Sequence, residues 1–316
     1  MNIKKISLSN PVLILAPLSN YSDNGMRILS KKFGASLTYT GMISSYNIIK
    51  NGGTLFKILP EERPIAIQIF GNNEDIIKKA VIILNDFADI IDINFACPSN
   101  KIINSESGGF LLKDIEKIKK ILYKALKVSK VPISVKIRSG FTKEDNSYLE
   151  VGKVCEEMGV SFLTIHPRSV TSRFYGDIDI EITENLKRNI RIPVIHSGDV
   201  KDYLKAKEVF EKTNCDGIMI GRKAIGNPWI FSDIKNYLTL GKIPLKVSLS
   251  ERIKVIKEHM DILSSLYQES FVIRQMKLHI PYYLKGYPGI NKLNKLLNGV
   301  KSIKELINLI ESFRFL

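Results

Sequence analysis

Eight short apolar runs alternate with helical segments over the first 240 residues of this 316-residue chain. Such runs, rich in β-branched residues and bounded by chain breakers, predict buried strands. The predicted strands cover residues 13–16, 37–40, 65–70, 90–94, 133–137, 162–166, 194–197 and 217–220. Helical periodicity lies between them, for example at 74–87, 115–128, 145–158 and 201–210. Eight strand–helix units in about 240 residues predict an α/β fold of the TIM (β/α)8 barrel type.

A doubly wound open sheet is the competing fold, but it would need a Gly-x-Gly-x-x-Gly turn after its first strand. The chain has Pro17-Leu18-Ser19-Asn20 at that point, which favours the barrel. Strand patterns stop near residue 244, and helical periodicity continues at 250–266, 271–284 and 302–313. The breaker Gly286-Tyr287-Pro288-Gly289 separates the last two segments. We therefore expect a barrel domain over residues 1–243 and a smaller all-helical domain over residues 244–316.

The chain carries a net charge of +15, and residues 240–316 hold +7 of it, with 13 Lys and Arg against six Asp and Glu. This balance suggests a polyanionic partner, although a lysine-rich composition from an A/T-rich genome explains it equally well. No apolar run approaches the roughly 20 residues that span a bilayer, so we expect a cytoplasmic protein without a membrane partner. The three cysteines are far apart and no histidine pair has metal spacing, which predicts neither a disulfide framework nor a metal site.

Residues 90–101, Ile-Ile-Asp-Ile-Asn-Phe-Ala-Cys-Pro-Ser-Asn-Lys, are the most informative stretch for function. Pro98 cannot continue a strand, so Cys97 is expected in a loop just after the carboxyl end of the fourth strand. Barrel enzymes place their chemistry at that end of the barrel. Taken alone, a cysteine there is more often a packing residue than a reactive one, because free cysteines are commonly buried.

Polar residues stand at the carboxyl ends of most of the predicted strands. They are Ser19, Gln68, Asn94, Lys136, Arg138, His166, Arg168, Ser197, Asp199 and Arg222. Each could be a satisfied core residue, but polar side chains on apolar strands cost desolvation free energy, and their coincidence on one face predicts a polar ligand. Ser197-Gly198-Asp199 and Gly221-Arg222 follow the seventh and eighth strands, where barrels often bind phosphate. The glycines there could instead serve only the turns.

A series of motifs stands in order along essentially the whole chain. They are Leu15-Ala16-Pro17-Leu18-Ser19-Asn20, Gln68-Ile69-Phe70-Gly71, Asp92-Ile93-Asn94-Phe95-Ala96-Cys97-Pro98, Val135-Lys136-Ile137-Arg138-Ser139-Gly140, Thr164-Ile165-His166, Ile192-Pro193-Val194-Ile195, Gly221-Arg222-Lys223-Ala224-Ile225-Gly226-Asn227-Pro228-Trp229 and Tyr283-Leu284-Lys285-Gly286-Tyr287-Pro288-Gly289. With these motifs the chain resembles the tRNA-dihydrouridine synthases, in particular their B-type bacterial branch. The Asn-x-x-Cys-Pro and Gly-Arg-x-x-x-Gly-Asn-Pro elements are the most specific.

The resemblance implies an FMN-binding barrel that reduces the C5=C6 bond of a specific uridine in tRNA, with NADPH or NADH as the reductant. It implies hydride transfer from reduced FMN to C6 and protonation of C5 by Cys97. A thiol near its ordinary pKa of about 8.5 is protonated before use and can still lose the proton. The resemblance also implies a helical tRNA-binding domain, and we expect a monomer without metal.

The resemblance also implies roles for individual residues. FMN binding is expected from Pro17, Leu18, Ser19, Gln68, Asn94, Lys136, His166, Ser197, Gly198, Asp199, Gly221 and Arg222. Lys136 suits the N1/O2 side of the flavin, where negative charge develops on reduction. Contacts with tRNA are expected from Lys101, Arg168, Arg274, Lys277 and Lys285.

Two departures from the family pattern lie close to the expected site. The family usually has Asn-Gly-Asp after the seventh strand, where this chain has Ser197-Gly198-Asp199 preceded by His196. It usually has His-Gly-Arg after the sixth strand, where this chain has His166-Pro167-Arg168. The serine has a shorter reach, and the proline removes a backbone donor. Both changes bear on FMN affinity and substrate contacts more than on the fold.

Three other functions remain open from the sequence. An FMN barrel enzyme of a free pyrimidine, similar to dihydroorotate dehydrogenase, would have no use for a basic helical domain. A tRNA-binding protein without catalysis would leave Cys97 and Lys136 without a role. A Schiff-base aldolase using Lys136 would leave both Cys97 and the helical domain unexplained.

Overall fold

A computed structural model describes residues 1–3 and 6–315 of the chain. The strands formed by these residues are β1 (Asn2–Ile3), β2 (Ile6–Ser7), β3 (Leu13–Leu15), β4 (Leu37–Tyr39), β5 (Ile43–Ser44), β6 (Ile65–Phe70), β7 (Ile90–Phe95), β8 (Ile133–Arg138), β9 (Phe162–His166), β10 (Val194–Ser197) and β11 (Gly217–Ile220). β1 and β2 form an antiparallel hairpin. The others form one parallel sheet in the order β4-β3-β11-β10-β9-β8-β7-β6-β5. An additional pairing of β4 with β6 closes it into an eight-stranded barrel.

Helices surround this barrel and continue beyond its last strand. They are α1 (Asn24–Lys32), α2 (Ser45–Asn51), α3 (Glu74–Leu84), α4 (Asn100–Ile103), α5 (Ile115–Val128), α6 (Ser147–Met158), α7 (Ile180–Asn189), α8 (Tyr203–Thr213), α9 (Trp229–Leu240), α10 (Leu249–Leu266), α11 (Glu269–Tyr283), α12 (Ile290–Gly299) and α13 (Ile303–Glu311). Short 3-10 helices cover Gly52–Leu55, Pro60–Glu62, Gly108–Lys113, Arg222–Ala224 and Ser312–Phe315. No helix of the described residues is long and apolar enough to cross a bilayer.

The strand residues alternate between two environments, as the two-residue period of a strand requires. On β7, Ile91 and Ile93 face outward and pack in the cluster that includes α3 and α5. Ile90 faces inward and belongs to an apolar layer inside the barrel. The other members of that layer include Ile14, Leu37, Tyr39, Ala66, Phe162, Ile195 and Met219. Polar residues occupy the inward positions above this layer, toward the carboxyl ends of the strands.

The predicted TIM barrel is confirmed, and all eight predicted strands are present. Their bounds differ from the predicted ones by one residue at most, because backbone pairing at a strand end depends on the neighbouring strand as well as on the local sequence. The sequence did not predict α12, whose apolar spacing is helical but whose three asparagines and terminal glycine have low helix propensity. It also missed β1, β2 and β5, since two-residue strands carry no readable period.

The carboxyl-terminal region is helical, as predicted, and α10 to α13 share one apolar core. Leu29 of α1 and Trp229 of α9 belong to the same core, so the helical region packs directly against the outside of the barrel. Salt bridges add to this contact at the surface, for example between Lys32 and Glu258 at 2.6 Å.

A buried polar network joins the barrel to the helical region. Asp23 is the N-cap of α1, and its Oδ1 accepts from the backbone N–H of Met26 at 2.9 Å. His259 of α10 and His279 of α11 donate from Nε2 to the two oxygens of Asp23, each at 2.8 Å. Gly25 makes this approach possible, because a Cβ there would lie 2.0 Å from the His259 ring. Burial alone would raise the pKa of Asp23, but the two histidines outweigh it and hold this pKa well below its usual range.

Because of this network, we expect removal of the N-cap Asp23 to lower the free energy of unfolding more than removal of an ordinary helix N-cap. Asp23→Ala removes the cap and leaves two buried imidazole donors without an acceptor. We therefore expect the free energy of unfolding to fall by about 2–4 kcal/mol. Asp114→Ala is the matched control, because Asp114 is an exposed N-cap of α5 whose side chain, among the described residues, accepts only from Lys117 N–H. Its cost should be about 1 kcal/mol. Urea unfolding curves measure both.

The effect of Asp23 should also depend on pH with a defined sign. A carboxylate whose pKa is lowered on folding stabilises the protein fully above its unfolded pKa of about 3.9 and loses this effect as the pH falls further. The deficit of Asp23→Ala should therefore hold between pH 7 and pH 5 and shrink below about pH 4. Equal deficits for the two variants at pH 7 would show that the histidines contribute nothing.

Candidate active site

The expected site residues converge at the carboxyl ends of the barrel strands. Gln68, Asn94, Lys136, His166 and Ser197 occupy inward positions on five consecutive strands from β6 to β10. The strand register places Asn94 beside Lys136. It also pairs Arg138 with His166 at the next level up. The loop from Pro17 to Ser19 follows β3, and the loops containing Gly198 and Gly221 follow β10 and β11. The barrel therefore brings the predicted residues of its own strands together at one end, which we call the mouth of the barrel.

Cys97 lies in the loop after β7, as the sequence predicts, and is half-buried. The side-chain oxygen of Asn94 accepts from the backbone N–H groups of Ala96 and Cys97, each at 2.9 Å. The Cys97 carbonyl accepts from Gly109 N–H at 3.1 Å. Arg138 donates from Nε to the Ala96 carbonyl at 2.9 Å. The loop is thus fixed from both sides, which holds the thiol at the mouth of the barrel.

The electrostatics of the mouth keep this thiol protonated. Burial raises the pKa of the Cys97 thiol above its ordinary value, and the Ser99 backbone together with Arg138 and Lys136 offsets only part of the rise. Burial also lowers the pKa of Lys136 to about 7, a change that Arg138 reinforces and Asp92 opposes. Near neutral pH the site therefore holds a protonated thiol next to an amine that can gain or lose its charge.

Lys136 and His166 have the character of ligand-binding groups. Lys136 is buried, and among the described residues its amine has only long-range charge partners and no hydrogen-bond acceptor. Burial and the cations Lys136, Arg138 and Arg168 lower the pKa of His166 well below its ordinary value, so the ring is neutral. A buried amine without an acceptor costs desolvation free energy that a bound electronegative atom would recover.

Two adjacent loops present unused backbone donors. In the described part of the chain, the N–H groups of Gly198, Asp199, Gly221 and Arg222 have no acceptor. A Cβ at Gly221 would meet nothing nearer than 3.7 Å, so the space in front of this backbone is open. The exposed guanidinium of Arg222 lies beside them and touches Asp199 at 3.5 Å. Free N–H groups with an arginine form a typical phosphate cradle.

His196, one of the departures from the family pattern, faces away from the mouth. Its Nε2 donates to the Gly198 carbonyl at 3.1 Å, and Nδ1 accepts from the Thr183 hydroxyl of α7 at 2.9 Å. The carbonyl can only accept, which fixes this tautomer. Burial lowers the pKa of His196 to about 4, so the ring stays neutral. His196 therefore holds the glycine loop in place, while Ser197 points inward.

The residues expected to contact tRNA fall into two groups. Lys101 is exposed on α4, four residues after Cys97, and Arg168 is buried after β9. Arg168 donates to Asp199 at 2.8 Å, but its Nε and Nη1 have no partner among the described residues. Arg274, Lys277 and Lys285 lie on or just after α11, far along the chain in the helical region. Arg274 and Lys285 are exposed, whereas Lys277 donates to the carbonyls of Asn298 and Val300 and so caps the end of α12.

The structure adds residues to which the sequence assigned no role. Arg138 donates to carbonyls in both the Cys97 loop and the loop after β9, at Ala96 and Ser169. The sequence placed Arg138 among the polar residues at strand ends but did not show these contacts. Phe174 and Tyr175, in the loop after β9, are 55% and 80% exposed. The residues around them in the sequence did not predict a place at the mouth, because contacts between loops do not follow from a local sequence pattern.

The family of the chain follows from its sequence relatives. A family profile described as "Dihydrouridine synthase (Dus)" matches residues 14–314. The chain belongs to the dihydrouridine synthase family. It is 35% identical to the "Probable tRNA-dihydrouridine synthase" of Aquifex aeolicus, over 98% of this chain and 97% of that protein. It is 33% identical to "tRNA-dihydrouridine synthase B" of Pasteurella multocida, over 99% of this chain and 95% of that protein. The resemblance stated from the motifs is confirmed.

Solved structures support the fold of this family member. A variant of NCR from Zymomonas mobilis superposes with a TM-score of 0.53 at 12% identity, over 80% of this chain and 93% of that one. A mutant of morphinone reductase in complex with tetrahydroNAD gives 0.52 at 12% identity, over 80% and 92%. At this identity the likeness concerns the barrel architecture alone.

The protonated state of Cys97 gives a direct test of the site. We expect the rate of alkylation of Cys97 by iodoacetamide to rise with pH with a midpoint above that of an ordinary thiol, about 8.5. Lys136, whose pKa is lowered to about 7, is largely uncharged at that pH, so Lys136→Met should leave this midpoint nearly unchanged. Peptide mass spectrometry separates Cys97 from the buried Cys155 and Cys215. A midpoint below about 8 would show a stabilised thiolate and contradict a proton-donor role.

Proposed function

We propose that this protein is a flavin-dependent tRNA-dihydrouridine synthase, which reduces the C5=C6 bond of a uridine in tRNA. The observation that carries this proposal is the half-buried Cys97 thiol, held by its loop at the mouth of the barrel in a member of this family. Residues 1–243 form the catalytic part and residues 244–316 the tRNA-binding part in this proposal. The relatives' names give tRNA as their substrate, which supports the same class of substrate here.

The residues at the mouth fit FMN as the cofactor. The four free N–H groups and Arg222 suit its phosphate, and the unpaired amine of Lys136 suits the electron-rich N1/O2 edge of the ring. Pro17, Leu18 and Ser19 would hold the ring from the loop after β3, and Gln68, Asn94 and His166 from the inward strand positions. When bound, FMN reduced by NADPH or NADH supplies the hydride for C6 of the uracil. The Ser197 and Pro167 departures leave the free donors of the phosphate cradle in place.

Cys97 supplies the proton in this proposal. A group that donates a proton at neutral pH must hold it until the transition state, and the raised pKa of the thiol satisfies that condition. The nearby cations then stabilise the thiolate that remains after transfer. A nucleophilic role would need a lowered pKa, whereas burial raises the pKa of the Cys97 thiol.

The surface around the mouth suits an extruded nucleotide. Phe174 lies 5.5 Å from the Arg138 guanidinium and 5.3 Å from that of Arg222, and Tyr175 next to it is largely exposed. Aromatic rings flanked by arginines bind unpaired nucleotides by stacking and charge. A uridine in folded tRNA must leave its stack to reach the site, at a cost of a few kcal/mol. Basic residues of the helical region, including exposed Arg274 and Lys285, would offset this through phosphate contacts.

The proposal is tested on purified protein with unmodified tRNA. We expect a yellow protein that adds 2 Da to one uridine in the presence of NADPH, as measured by mass spectrometry. Cys97→Ala should stay yellow but lose about 100-fold or more of the rate, the usual contribution of a general acid. A yellow protein that reduces only free uracil or dihydroorotate-type substrates would point to the free-pyrimidine enzyme. A colourless protein that binds tRNA without reducing it would leave only the binding function.

The role of the helical region has its own test. Arg274→Ala and Lys285→Ala should each weaken tRNA binding and lower the slope of log affinity against log salt by about 1. Lys120→Ala is the matched control, because Lys120 is an exposed lysine on the barrel helix α5. Filter binding at several salt concentrations measures all three. If the control and the helical variants change equally, the basic charge acts only through the overall field of the protein.

A further inference from the structure

A chain of buried hydrogen bonds runs from the middle of the barrel to the Cys97 loop. It begins at Asp92 on β7, whose carboxylate is fully buried. Oδ1 of Asp92 accepts from the Ser134 hydroxyl at 2.6 Å and from the Tyr39 hydroxyl at 3.4 Å. Oδ2 accepts from Nε2 of Gln68 at 2.8 Å. Asp92 is thus the acceptor of three donors from three other strands.

The chain continues through two side-chain amides. Oε1 of Gln68 accepts from Nδ2 of Asn94 at 2.8 Å. Oδ1 of Asn94 then accepts from the backbone N–H groups of Ala96 and Cys97, each at 2.9 Å. Gln68 is fully buried and Asn94 nearly so, so water does not compete for these bonds. The Gln68 and Asn94 amides therefore link Asp92 to the Cys97 loop.

The direction of this hydrogen-bond chain is set at both ends, by the acceptor Asp92 and by the backbone donors of Ala96 and Cys97. A carboxylate can only accept, so Gln68 must turn its NH2 group toward Asp92 and its oxygen toward Asn94. Asn94 must then turn its NH2 group toward Gln68 and its oxygen toward the loop. An amide that flipped would leave two acceptors or two donors facing each other, an arrangement that a buried site strongly disfavours.

Burial of the Asp92 carboxylate costs desolvation free energy. No cationic side chain in the described part of the chain lies within ion-pair distance of Asp92, and burial raises the pKa of its carboxyl to about 6, against the Ser134 and Gln68 donors and the charge of Lys136. The apolar layer just below shows that the barrel interior can be filled without charge. In some proteins buried charges that carry such a cost serve conformational specificity.

We propose that Asp92 is a positioning residue, which fixes the orientation of the Gln68 and Asn94 amides and thereby the place of the Cys97 loop. In this orientation both amide oxygens are used within the hydrogen-bond chain, and Nδ2 of Asn94 also donates to the Met42 sulfur at 3.8 Å. The catalytic consequence rests on the proposed function, whereas the orientation itself is a property of the fold.

Moving the carboxylate from position 92 to position 94 of the hydrogen-bond chain tests this inference. Asn94→Asp places a second carboxylate at the outer end of the hydrogen-bond chain. Gln68 then faces acceptors on both sides, and its oxygen has no donor. In the double variant Asp92→Asn with Asn94→Asp, Gln68 can flip, accept from Asn at position 92 and donate to Asp at position 94. The two bonds of Gln68 then run in the reverse direction, while the hydroxyl and backbone donors at the two ends keep theirs. The readout is hydrogen exchange of the Ala96 and Cys97 amides, followed by peptide mass spectrometry in the absence of tRNA.

We expect exchange at Ala96 and Cys97 to be at least about tenfold faster in Asn94→Asp than in the wild type, and within about threefold of the wild type in the double variant. Ile91→Ala is the control for lost stability, because Ile91 lies on the same strand but faces the outer helices. It should lower the melting temperature without changing exchange at the loop. A double variant that exchanges as fast as Asn94→Asp would overturn the proposal.

Activity assays on the same variants separate the two proposals. If Asp92 positions the site of a dihydrouridine synthase, Asp92→Asn should lower kcat for tRNA reduction at least about tenfold while KM for tRNA stays within about threefold. Restored exchange in the double variant, without tRNA reduction even by the wild type, would leave the positioning role standing and reject the proposed function. Unchanged exchange in Asn94→Asp would reject the positioning role whatever the activity.

Discussion

Closure of the barrel between β4 and β6 is the constraint on which the site depends. Closure places the inward side chains against one another, so several of the polar ones form hydrogen bonds with each other. The register of the parallel strands decides which residues meet, and it places Gln68 beside Asp92 and Asp92 beside Ser134. The hydrogen-bond chain that reaches the Cys97 loop is therefore a consequence of strand register.

The same closure explains the charge of the mouth. Lys136 and Arg138 alternate on one strand with apolar residues that face the outer helices, so both cations point inward. The buried carboxylate of Asp92 lies one level deeper and raises the pKa of Lys136 only in part. The upper level is thus left with excess positive charge, next to a thiol that stays protonated because it is buried. Such a mouth favours an electron-rich ring and a phosphate over a neutral ligand.

The sequence predicts most of the fold because the two-residue and 3.6-residue periods are local signals. It also predicts which residues reach the mouth, since strand ends can be read from breakers such as Pro98. It cannot show which polar residues meet, because Gln68 and Asp92 are joined through register and not through spacing. The contact between Asp23 and His279 is more distant still, at 256 residues, and nothing in either segment marks it. The role of His196 was likewise hidden, because its partner Thr183 lies on the preceding helix.

The helical region and the loop expected to hold the flavin ring share one anchor. The loop after β3 is closed by a hydrogen bond from Leu18 N–H to the Ser22 hydroxyl at 2.8 Å, and α1 begins immediately after it at Asp23. The two histidines that bind Asp23 come from α10 and α11. The Tyr21 ring packs edge-on against His279, with the centroids 5.5 Å apart. The loop after β3 and the helical region are therefore joined by a few hydrogen bonds through Asp23.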